Sequence, residues 1–478
     1  MHKKTTRSDF LALFGVLVVT VLVLTNGFAA RVRAQGENVD VYTKLEPIGD
    51  VLDRILEEYY KAPDVDKVVE GALQGMLMSL DKHSSFISAD ALKELTEDTE
   101  GEFDGIGVTI RKDDDGHIVV FQPLPDSPAA TAGVRAFDRI LKIDGNDTEG
   151  MELHDAAKLI RGKRGTVVKL TVERGYKEDA SEILDIDVIR GTIPLESVKE
   201  ARLLDGGIGY IRVSDFKKST SDEIGNRAKE LLDQGMTSLV LDLRWNVGGL
   251  LSASKEVCEL FLPKNTLVTY TQGREGKDGK SAENMRLYTE KQPIIPDGFP
   301  MILLVNEQTA SSAEIVTGAL QFWARAIIVG QTTYGKGSVQ TIIPIKRPEG
   351  SALRLTTALY YTPAEVTIHN KGIMPDVEVV MDLKQQTALW EQMYKSYENA
   401  PEKVNEQNHG SVTGDETTEP DAEVVEDTQL QRAVEILKED ALFENLLKQY
   451  HKDPSETQIA ATESENQQAE EGAASVSE

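Results

Sequence analysis

Apolar residues recur every three or four positions near the start of the chain, between about Val41 and Leu95, which is typical of amphipathic helices. The first helix carries them at Leu45, Ile48, Leu52, Ile55 and Leu56. We therefore predict an N-terminal helical region over residues 36–100. Its first helix either packs on the domain that follows or forms a homodimer contact with a second copy of the chain.

The pattern changes to alternating apolar and polar residues in the next block, residues 101–191. Strands are predicted for GIGVTI, from Gly105 to Ile110, and for Val167–Arg174, with glycine-containing turns between strands. An amphipathic helix is predicted at Glu152–Arg161. We expect this block to be a β-rich domain with two short helices.

Strands and helices alternate in the third block, residues 192–382, which is typical of an α/β domain with a largely buried sheet. Strands are predicted at Gly209–Val213, Ser238–Asp242, Met301–Val305, Ile327–Val329 and Ser338–Ile345. Helices are predicted at Ser221–Gln234, Leu251–Leu262 and Ala313–Ala324.

The two ends of the chain differ from these blocks. Residues 1–35 begin with basic side chains and continue with an uncharged run from Phe10 to Ala30, as an export signal does. This run is either a cleaved signal peptide or an uncleaved membrane anchor, and both place the rest of the protein in the periplasm or cell envelope. Residues 383–478 are acidic, and we predict them to be largely disordered, with one helix over residues 428–450.

Composition excludes several classes of function. The 478 residues carry a net charge of −28, which argues against a nucleic-acid binder, because the surface of such a protein is basic. Cys258 is the single cysteine, so neither an intrachain disulfide nor a cysteine-based zinc site can form. Because the seven histidines show no metal-ligand spacing, we expect no metal ion and no cofactor.

Three stretches of the third block carry candidate chemistry: DLRWNVGG (Asp242–Gly249), NEQTASSAEI (Asn306–Ile315) and TYGKGSVQ (Thr333–Gln340). Ser311 lies between a predicted strand and a predicted helix. In one interpretation, Ser311 and Glu314 form a capping box at the helix start. In the other, the hydroxyl is an exposed nucleophile, and the backbone amides that follow it stabilise an oxyanion.

A serine nucleophile needs a base that removes its proton. Lys336 is flanked by two glycines, which permit close backbone approach, and desolvation lowers the pKa of a buried lysine. The fold could also bring His83 or His369 close to the serine. The segment from Gly330 to Lys336 fits most of a phosphate-binding loop, but Gly337 stands where that loop needs serine or threonine.

The glycine pair Gly248–Gly249 follows a predicted strand. It is either a tight turn without a catalytic role or a turn whose backbone N–H groups face a ligand.

These stretches occur in order with LDKHSSF (Leu80–Phe86) and GYIRVSDF (Gly209–Phe216), and together they resemble the carboxyl-terminal processing peptidases, also called tail-specific proteases. The resemblance covers roughly residues 40 to 382. It implies an α/β peptidase core similar to the Clp protease and crotonase group, with an inserted β-rich PDZ domain at residues 101–191 and the peptidase core at residues 192–382.

The resemblance also implies roles for individual residues. Ser311 matches the nucleophile of the family and Lys336 its general base. The oxyanion would be bound by the backbone N–H of Ser312 and by that of Gly248 or Gly249. Because the family usually has alanine where Ser312 stands, the choice between the two serines rests on spacing.

Further residues match the family in supporting roles. Gln340 matches a glutamine that positions the lysine amine. A PDZ loop that binds a chain-end carboxylate is matched by Gly105, Ile106, Gly107 and Val108. Ala157 and Ile160 either line the pocket for the last side chain of a bound tail or pack in the core of the domain.

The function that the resemblance implies is that of a serine endopeptidase. It would cleave exported proteins near their C-termini through a Ser–Lys dyad, with the PDZ domain recognising apolar tails. No cofactor is implied, and an activating adaptor protein is left open. The alternative is a catalytically inactive PDZ scaffold that binds protein C-termini.

Overall fold

The structure, a computed structural model, describes residues 41–176, 181–275, 284–398 and 425–450. Its contacts divide the chain into two units, with the division between Leu80 and Asp81. The predicted export segment, residues 1–35, lies outside the described residues. Within the described ranges, no helix is both long enough and apolar enough to cross a membrane.

The described part of the first unit, residues 41–80, contains two helices, α1 (Val41–Glu58) and α2 (Val65–Met78). The side chain of Asp64 caps α2 by accepting a hydrogen bond from the Lys67 N–H at 3.3 Å, which satisfies a donor at the helix start. Packing on a following domain and contact with a second copy both stay predictions for α1. Its exposed apolar side chains include Val41, Tyr42, Leu45, Ile48 and Val51.

The second unit begins with β1 (Ser85–Ile87) and α3 (Ala89–Glu100), which lead into the β-rich block. The elements of that block are β2 (Glu102–Gly105), β3 (Val108–Lys112), β4 (Ile118–Pro123), α4 (Pro128–Ala132), β5 (Arg139–Ile143), β6 (Asn146–Asp147), α5 (Leu153–Ile160), β7 (Val167–Arg174), β8 (Glu182–Ile189) and β9 (Gly191–Pro194). An antiparallel sheet runs in the order β3–β4–β5–β7–β8, with β6 paired to β5. β2 and β9 pair with each other where the chain enters and leaves the block.

A six-stranded sheet with its connecting helices forms the centre of the third block. Its elements are β10 (Val198–Leu204), β11 (Ile208–Val213), α6 (Thr220–Asp233), β12 (Ser238–Asp242), α7 (Leu251–Cys258), β15 (Met301–Val305), α8 (Ser312–Phe322), β16 (Ile327–Gly330) and β19 (Val377–Glu378). The strand order is β10–β11–β12–β15–β16–β19, and all neighbours except β10 and β11 are parallel. Because parallel strands end at the same edge, the loops after β12 and β15 emerge side by side.

Both faces of this sheet are buried. In β12, Leu239 and Leu241 belong to the core that the sheet shares with α6, α7 and α8, whereas Val240 points to the opposite face. In β15, Leu303 and Leu304 divide in the same way. A sheet that is apolar on both faces needs a second layer of structure to cover it.

The C-terminal region supplies that second layer. After α9 (Leu383–Glu398), the described chain resumes and forms α10 (Thr428–Lys438) and α11 (Asp440–Tyr450). The side chains that pack against the sheet are Ala433, Ile436, Leu437 and Phe443. This part of the acidic C-terminal region is therefore an integral layer of the α/β domain.

The single helix predicted over residues 428–450 is two helices that meet at Glu439, whose backbone is not helical (φ −115°, ψ 87°). The apolar positions explain the break. In one continuous helix, the apolar residues up to Leu437 and the apolar residues from Leu442 onward would lie on different faces. A bend between them turns both sets toward the sheet.

A second sheet completes the domain. Its elements are β1 with β13 (Leu267–Gly273), β14 (Arg286–Tyr288), β17 (Ser338–Pro344) and β18 (Ala352–Tyr361). β1 pairs with β18, and Phe86 lies opposite Leu353. Because β1 precedes the β-rich block in sequence and the rest of this sheet follows it, the block is inserted between two parts of one α/β domain. The predicted fold class, an α/β core with an inserted β-rich domain, is confirmed.

Candidate active site

The turn after β15 leads to Ser311 at the N-terminus of α8. It is fastened to the neighbouring turn, which follows β12. The Trp245 N–H donates to Oδ1 of Asn306 at 3.0 Å, and Oγ1 of Thr309 donates to the Leu243 C=O at 2.8 Å. The ends of two adjacent parallel strands are thereby held in one arrangement.

Ser311 has a backbone conformation that non-glycine residues rarely adopt, with φ 58° and ψ −121°. Such a conformation costs roughly 1–3 kcal/mol and persists only where surrounding contacts impose it. Ser311 is half-buried. Ser312 is 2% exposed, and its Oγ donates to the Gly249 C=O at 2.9 Å. Ser311 is therefore the better candidate for a nucleophile.

The carboxylate of Glu314 joins the serine turn to the lysine segment. The residue is fully buried, and its Oε2 accepts hydrogen bonds from the N–H groups of Ser311 and Lys336, both at 2.8 Å. Oε1 accepts from the Gly335 N–H at 2.7 Å and from Oγ1 of Thr333 at 2.6 Å. Burial raises the pKa of Glu314, and the four hydrogen bonds oppose that rise because they favour the charged form.

Tyr360 of β18 makes a second link between the same segments. Its hydroxyl lies 3.1 Å from the Ser311 C=O and also hydrogen-bonds to the Lys336 C=O. Burial raises the pKa of Tyr360, so the phenol stays protonated and acts as a donor. Glu314 therefore holds the N–H groups of Ser311 and Lys336, and Tyr360 holds the C=O groups of the same two residues.

Lys336 is half-buried, and within the described part of the chain its Nζ makes no hydrogen bond and no ion pair. Burial lowers the pKa of this amine, the positive charge of Arg354 lowers it further, and Tyr334 and Glu314 oppose the shift. The flanking glycine is needed for close packing, because a Cβ at Gly337 would lie 2.6 Å from a backbone nitrogen. An unpaired amine with a lowered pKa is suited to accept a proton.

Two histidines lie near the lysine. Burial lowers the pKa of His83, and the positive charges of Lys336 and Lys82 lower it further. Nδ1 of His369 is buried without a hydrogen-bond partner in the described chain. Among the described residues, no hydrogen bond joins either ring to Ser311, so the lysine is the base candidate that shared contacts tie to the serine.

Gln340 makes no hydrogen bond to Lys336 within the described ranges. Its amide nitrogen donates to Oγ of Ser338 at 2.8 Å and to Oγ1 of Thr356 at 3.3 Å. The Thr356 N–H in turn donates to Oγ of Ser84 at 3.1 Å. Because the amide nitrogen is occupied, Oε1 is the end of the side chain that can accept a hydrogen bond from another group.

The LDKHSSF stretch folds around the carboxylate of Asp81. Oδ1 accepts hydrogen bonds from the N–H groups of His83 and Ser84, at 2.7 Å and 2.8 Å, and Oδ2 accepts from Oγ of Ser84 at 2.9 Å. Ser84 is thus fixed against β18. The stretch supports the strand that holds Gln340 in place.

The Gly248–Gly249 turn lies directly against the serine. Gly248 has φ 93°, and a Cβ there would lie 2.7 Å from Cβ of Ser311 and 2.9 Å from the nitrogen of Ser312. Only a residue without a side chain fits this close approach. The Gly248 N–H already donates to Oδ1 of Asn246 at 2.9 Å.

Gly249 presents its backbone to the serine side of the turn. Phe216 forms hydrogen bonds with Gly248 and Leu250, the two neighbours of Gly249. The Phe216 N–H donates to the Gly248 C=O at 3.0 Å, and the Leu250 N–H donates to the Phe216 C=O at 2.8 Å. The Gly249 C=O accepts from Ser312 instead. Since the N–H and C=O of an extended residue point to the same side, the Gly249 N–H points away from Phe216 and toward the side on which Ser312 lies.

These groups together provide the parts of nucleophilic catalysis. The Ser311 hydroxyl sits on a strained turn, and the Lys336 amine, whose pKa is lowered, is tied to that turn through Glu314 and Tyr360. The Ser312 N–H follows the hydroxyl directly, and the Gly249 N–H lies on the side of the glycine turn that faces Ser312. This set can activate the hydroxyl and stabilise an oxyanion.

Ala157 and Ile160, the two residues of α5 predicted either to line a pocket or to pack in the core, have different surroundings. Ile160 is buried in the core of that domain. Ala157 lines a cavity of about 400 Å³ together with Phe103 and Arg161. The side of this cavity formed by α3 is acidic, and Arg161 pairs with Glu97 across it at 3.3 Å.

The loop that precedes β3 is held against the rest of the β-rich domain by two backbone hydrogen bonds. The C=O groups of Ile106 and Gly107 accept hydrogen bonds from the N–H groups of Ala129 and Leu124, at 2.9 Å and 2.8 Å. Gly107 has φ 74°, and a Cβ there would lie 2.5 Å from Cβ of Ser127. The glycine is therefore required for the loop to pack against α4.

Sequence reasoning missed several residues that hold the site together. The Ser-x-x-Glu spacing predicts Glu314 as a helix cap but gives no sign of its bonds to Gly335 and Lys336. Tyr360 and Asn246 carried no signal, because their partners are distant in sequence or are backbone groups. The motif spacing alone could not show these contacts.

Comparison with known proteins identifies two domain families. Peptidase family S41 matches residues 207–379, and the PDZ domain matches residues 119–174. The chain is 39% identical over 363 residues to the carboxy-terminal-processing protease of Bartonella bacilliformis, covering 75% of this chain and 79% of that protein. It is 32% identical over 378 residues to the carboxy-terminal processing protease CtpA of Bacillus subtilis, covering 79% and 78%. A solved structure, the photosystem II D1 C-terminal processing protease, is 29% identical with a TM-score of 0.38, covering 68% of this chain and 86% of that one.

Replacing Gly248 by alanine should disable the serine turn. The added Cβ would lie 2.7 Å from Cβ of Ser311 and 2.9 Å from the nitrogen of Ser312 and would displace the Ser312 N–H. Loss of one such oxyanion donor typically costs about 10²-fold or more in rate. We expect labelling of Ser311 by a serine-directed fluorophosphonate to slow by roughly that factor, measured by mass spectrometry.

Gly235→Ala is the matched control, because Gly235 has φ 95° with no atom within 4 Å of an added Cβ. It carries the same backbone strain without the collision. Equal labelling rates for the two variants would contradict a specific role of Gly248 at the site.

Proposed function

Because the chain belongs to peptidase family S41, the family of the carboxy-terminal processing proteases, and is a serine-type peptidase, we propose that Ser311 is its nucleophile and Lys336 its general base. The protein cleaves exported proteins near their C-termini in this proposal. The observation that carries it is the Glu314 carboxylate, which accepts hydrogen bonds from the N–H groups of both residues at 2.8 Å.

In the proposed reaction, the neutral amine of Lys336 removes the proton of the Ser311 hydroxyl while Oγ attacks the carbonyl carbon of the peptide bond. The ammonium then gives its proton to the leaving amine, the C–N bond breaks, and an acyl-enzyme remains on Ser311. Water, deprotonated by the same lysine, attacks the ester carbon. The bond to Oγ of Ser311 breaks, and the ammonium returns its proton to Oγ. The lowered pKa of Lys336 supports this role, because a general base must be neutral at the working pH.

The tetrahedral intermediate carries a negative oxygen that needs N–H donors. We assign the N–H of Ser312, at the positive end of α8, and the N–H of Gly249. Gly248 is less suited, since its N–H already donates to Asn246.

Gln340 is assigned as the residue that orients the lysine in the substrate complex. Ser338 and Thr356 hold its amide nitrogen, so Oε1 accepts a hydrogen bond from Nζ of Lys336. The lone pair of the amine is then directed at Ser311. Contacts of this kind often form fully only when substrate is bound.

The PDZ domain binds the C-terminal tails of substrates in this proposal. In the described sheet, β3 pairs with β4 alone, and such an edge can accept a tail as an added strand. The loop from Gly105 to Val108 supplies N–H groups for the chain-end carboxylate. The cavity beside Ala157 takes the last side chain, and Phe103 favours an apolar one.

Residues 1–35 support a location outside the cytoplasm, because a basic start precedes an uncharged apolar run. A cleaved signal peptide and a retained membrane anchor both agree with this pattern. Exported proteins are therefore the proposed substrates. An activating adaptor protein and a homodimer stay predictions.

Ser311→Ala and Lys336→Met should each reduce cleavage of unfolded β-casein to background, whereas Ser312→Ala should retain most of it. The first two variants remove the nucleophile and the base, which act as a unit worth about 10⁴-fold or more. Ser312→Ala preserves the backbone N–H assigned to the oxyanion and removes only the hydroxyl, which donates to the C=O groups of Gly249 and Leu250. Initial rates followed by gel and mass spectrometry test this. Cleavage by Ser311→Ala, or its loss in Ser312→Ala alone, would reverse the assignment of the nucleophile.

The pH dependence of the parent enzyme has a defined sign. Because burial lowers the pKa of Lys336, activity should rise with pH through one ionisation that lies below about 10.4, the ordinary value for lysine.

If no variant and not even the parent cleaves casein while tail peptides still bind, the inactive scaffold is the correct alternative.

Tail binding should depend on the free carboxylate. With full-length Ser311→Ala protein, we expect a fluorescent apolar peptide with a free C-terminus to bind about tenfold or more tightly than its amidated form, since charge-assisted hydrogen bonds are lost on amidation. Fluorescence anisotropy measures both. Gly107→Ala should weaken binding, because its Cβ would collide with Ser127, whereas Gly116→Ala, at φ 84° in open space, should not. Equal affinity for the two peptides would rule out recognition of the chain end.

A further inference from the structure

Arg244 lies immediately before the oxyanion turn and is completely buried. Its Nε and Nη2 donate to the carboxylate of Asp242, at 3.0 Å and 2.6 Å, and the Arg244 N–H donates to the same carboxylate at 3.0 Å. Tyr210 donates its hydroxyl to Asp242 at 2.8 Å. Asp242 is the last residue of β12 and is fixed by the sheet. Arg244 lies just beyond the strand end, so this pair connects the start of the turn to β12 only.

Arg244 has a second carboxylate partner, which comes from the C-terminal region. Nη1 and Nη2 of Arg244 donate to the two carboxylate oxygens of Asp427, at 2.8 Å and 2.7 Å, in a bidentate ion pair. Nη1 also lies 3.2 Å from Oε1 of Gln429. The side chain of Asp427 is 13% exposed and that of Arg244 0%. In the described chain, Asp427 and Gln429 are the hydrogen-bond partners of this guanidinium from outside its own segment.

Asp427 is itself firmly placed. Its Oδ1 accepts the Leu430 N–H at 3.0 Å and so caps the start of α10. Nε2 of Gln429 donates to the Val379 C=O at 2.9 Å, beside the end of β19. The apolar face of α10 then packs on the sheet. The carboxylate therefore transmits the position of this helix to the guanidinium.

The path from Arg244 to the serine is short. The next residue, Trp245, donates its N–H to Asn306, and Oδ1 of Asn246 accepts the Gly248 N–H at 2.9 Å. The Asn246 C=O accepts the N–H of Ala310, the residue before the serine, at 2.9 Å. A shift of Arg244 would thus move both the glycine turn and the serine turn.

We propose that Asp427 is a positioning residue for catalysis: it holds Arg244, and through it the Trp245–Gly249 turn, in the geometry that binds the oxyanion. The inference rests on the proposed function of that turn. It makes the C-terminal helical pair, α10 and α11, a working part of the peptidase, although its residues lie beyond the region that carries the family motifs.

Asp427→Asn in the full-length protein tests this proposal. Asparagine keeps the shape and the helix cap, but its amide cannot accept both N–H groups of the guanidinium. We expect kcat to fall about 10- to 100-fold with KM within about twofold, because a misplaced oxyanion turn weakens transition-state binding more than substrate binding. Asp427→Glu, which restores the charge, should recover part of the loss. Asp440→Asn, an exposed acidic residue of the first turn of α11, is the matched control and should resemble the parent.

Hydrogen exchange measured by mass spectrometry separates positioning from general loss of stability. In Asp427→Asn, amides of residues 245–250 should exchange about tenfold faster, while those of β15 keep the protection of the parent. Unchanged exchange at the turn, or equal acceleration in β15, would overturn the proposal. If the parent itself proves inactive but the turn still loosens selectively, the proposed function fails and the positioning of the turn by Asp427 stands.

Discussion

The carboxylate of Glu314 has no exposed surface, and burying such a charge is costly unless hydrogen bonds replace the lost water. Four donors meet that need here, and two of them are the backbone N–H groups of Ser311 and Lys336. The cost of burial thus becomes a constraint: Ser311 and Lys336 must come together for the carboxylate to be satisfied. Tyr360 applies the same constraint from the C=O side. The strained φ of Ser311 persists because these contacts impose it.

The rest of the fold brings these donors into range. Parallel strands β12 and β15 end at one edge, so the glycine turn and the serine turn lie in contact. The strands are apolar on both faces, which requires helices on both sides. One layer comes from α6, α7 and α8, and the other from the C-terminal helices. The acidic composition of the C-terminal region concealed this second layer.

Local signals in the sequence predict the elements around the candidate site but not the contacts between its segments. The strand, turn and helix around Ser311 follow from hydrophobic pattern and turn residues, and Ser-x-x-Glu pointed to Glu314. Burial favours Ser311 over Ser312 as the candidate nucleophile, and spacing carries no information about burial. The ion pair of Arg244 with Asp427 spans 183 positions, and no periodicity relates residues so far apart. The break at Glu439 could be inferred from the phase of the apolar residues, had the sheet beneath them been known.

The central claim is that the amine at position 336 acts as the base, and aminoethylation tests it most directly. Alkylation of a Lys336→Cys variant with 2-bromoethylamine creates a lysine analogue whose sulfur lowers the pKa of the amine. Cys258 should not react, because it is fully buried and burial raises its pKa. The account predicts an inactive cysteine variant, recovery of casein cleavage on alkylation, and a rise in activity at lower pH than in the parent. Full activity before alkylation, or a recovered enzyme with the pH profile of the parent, would contradict it.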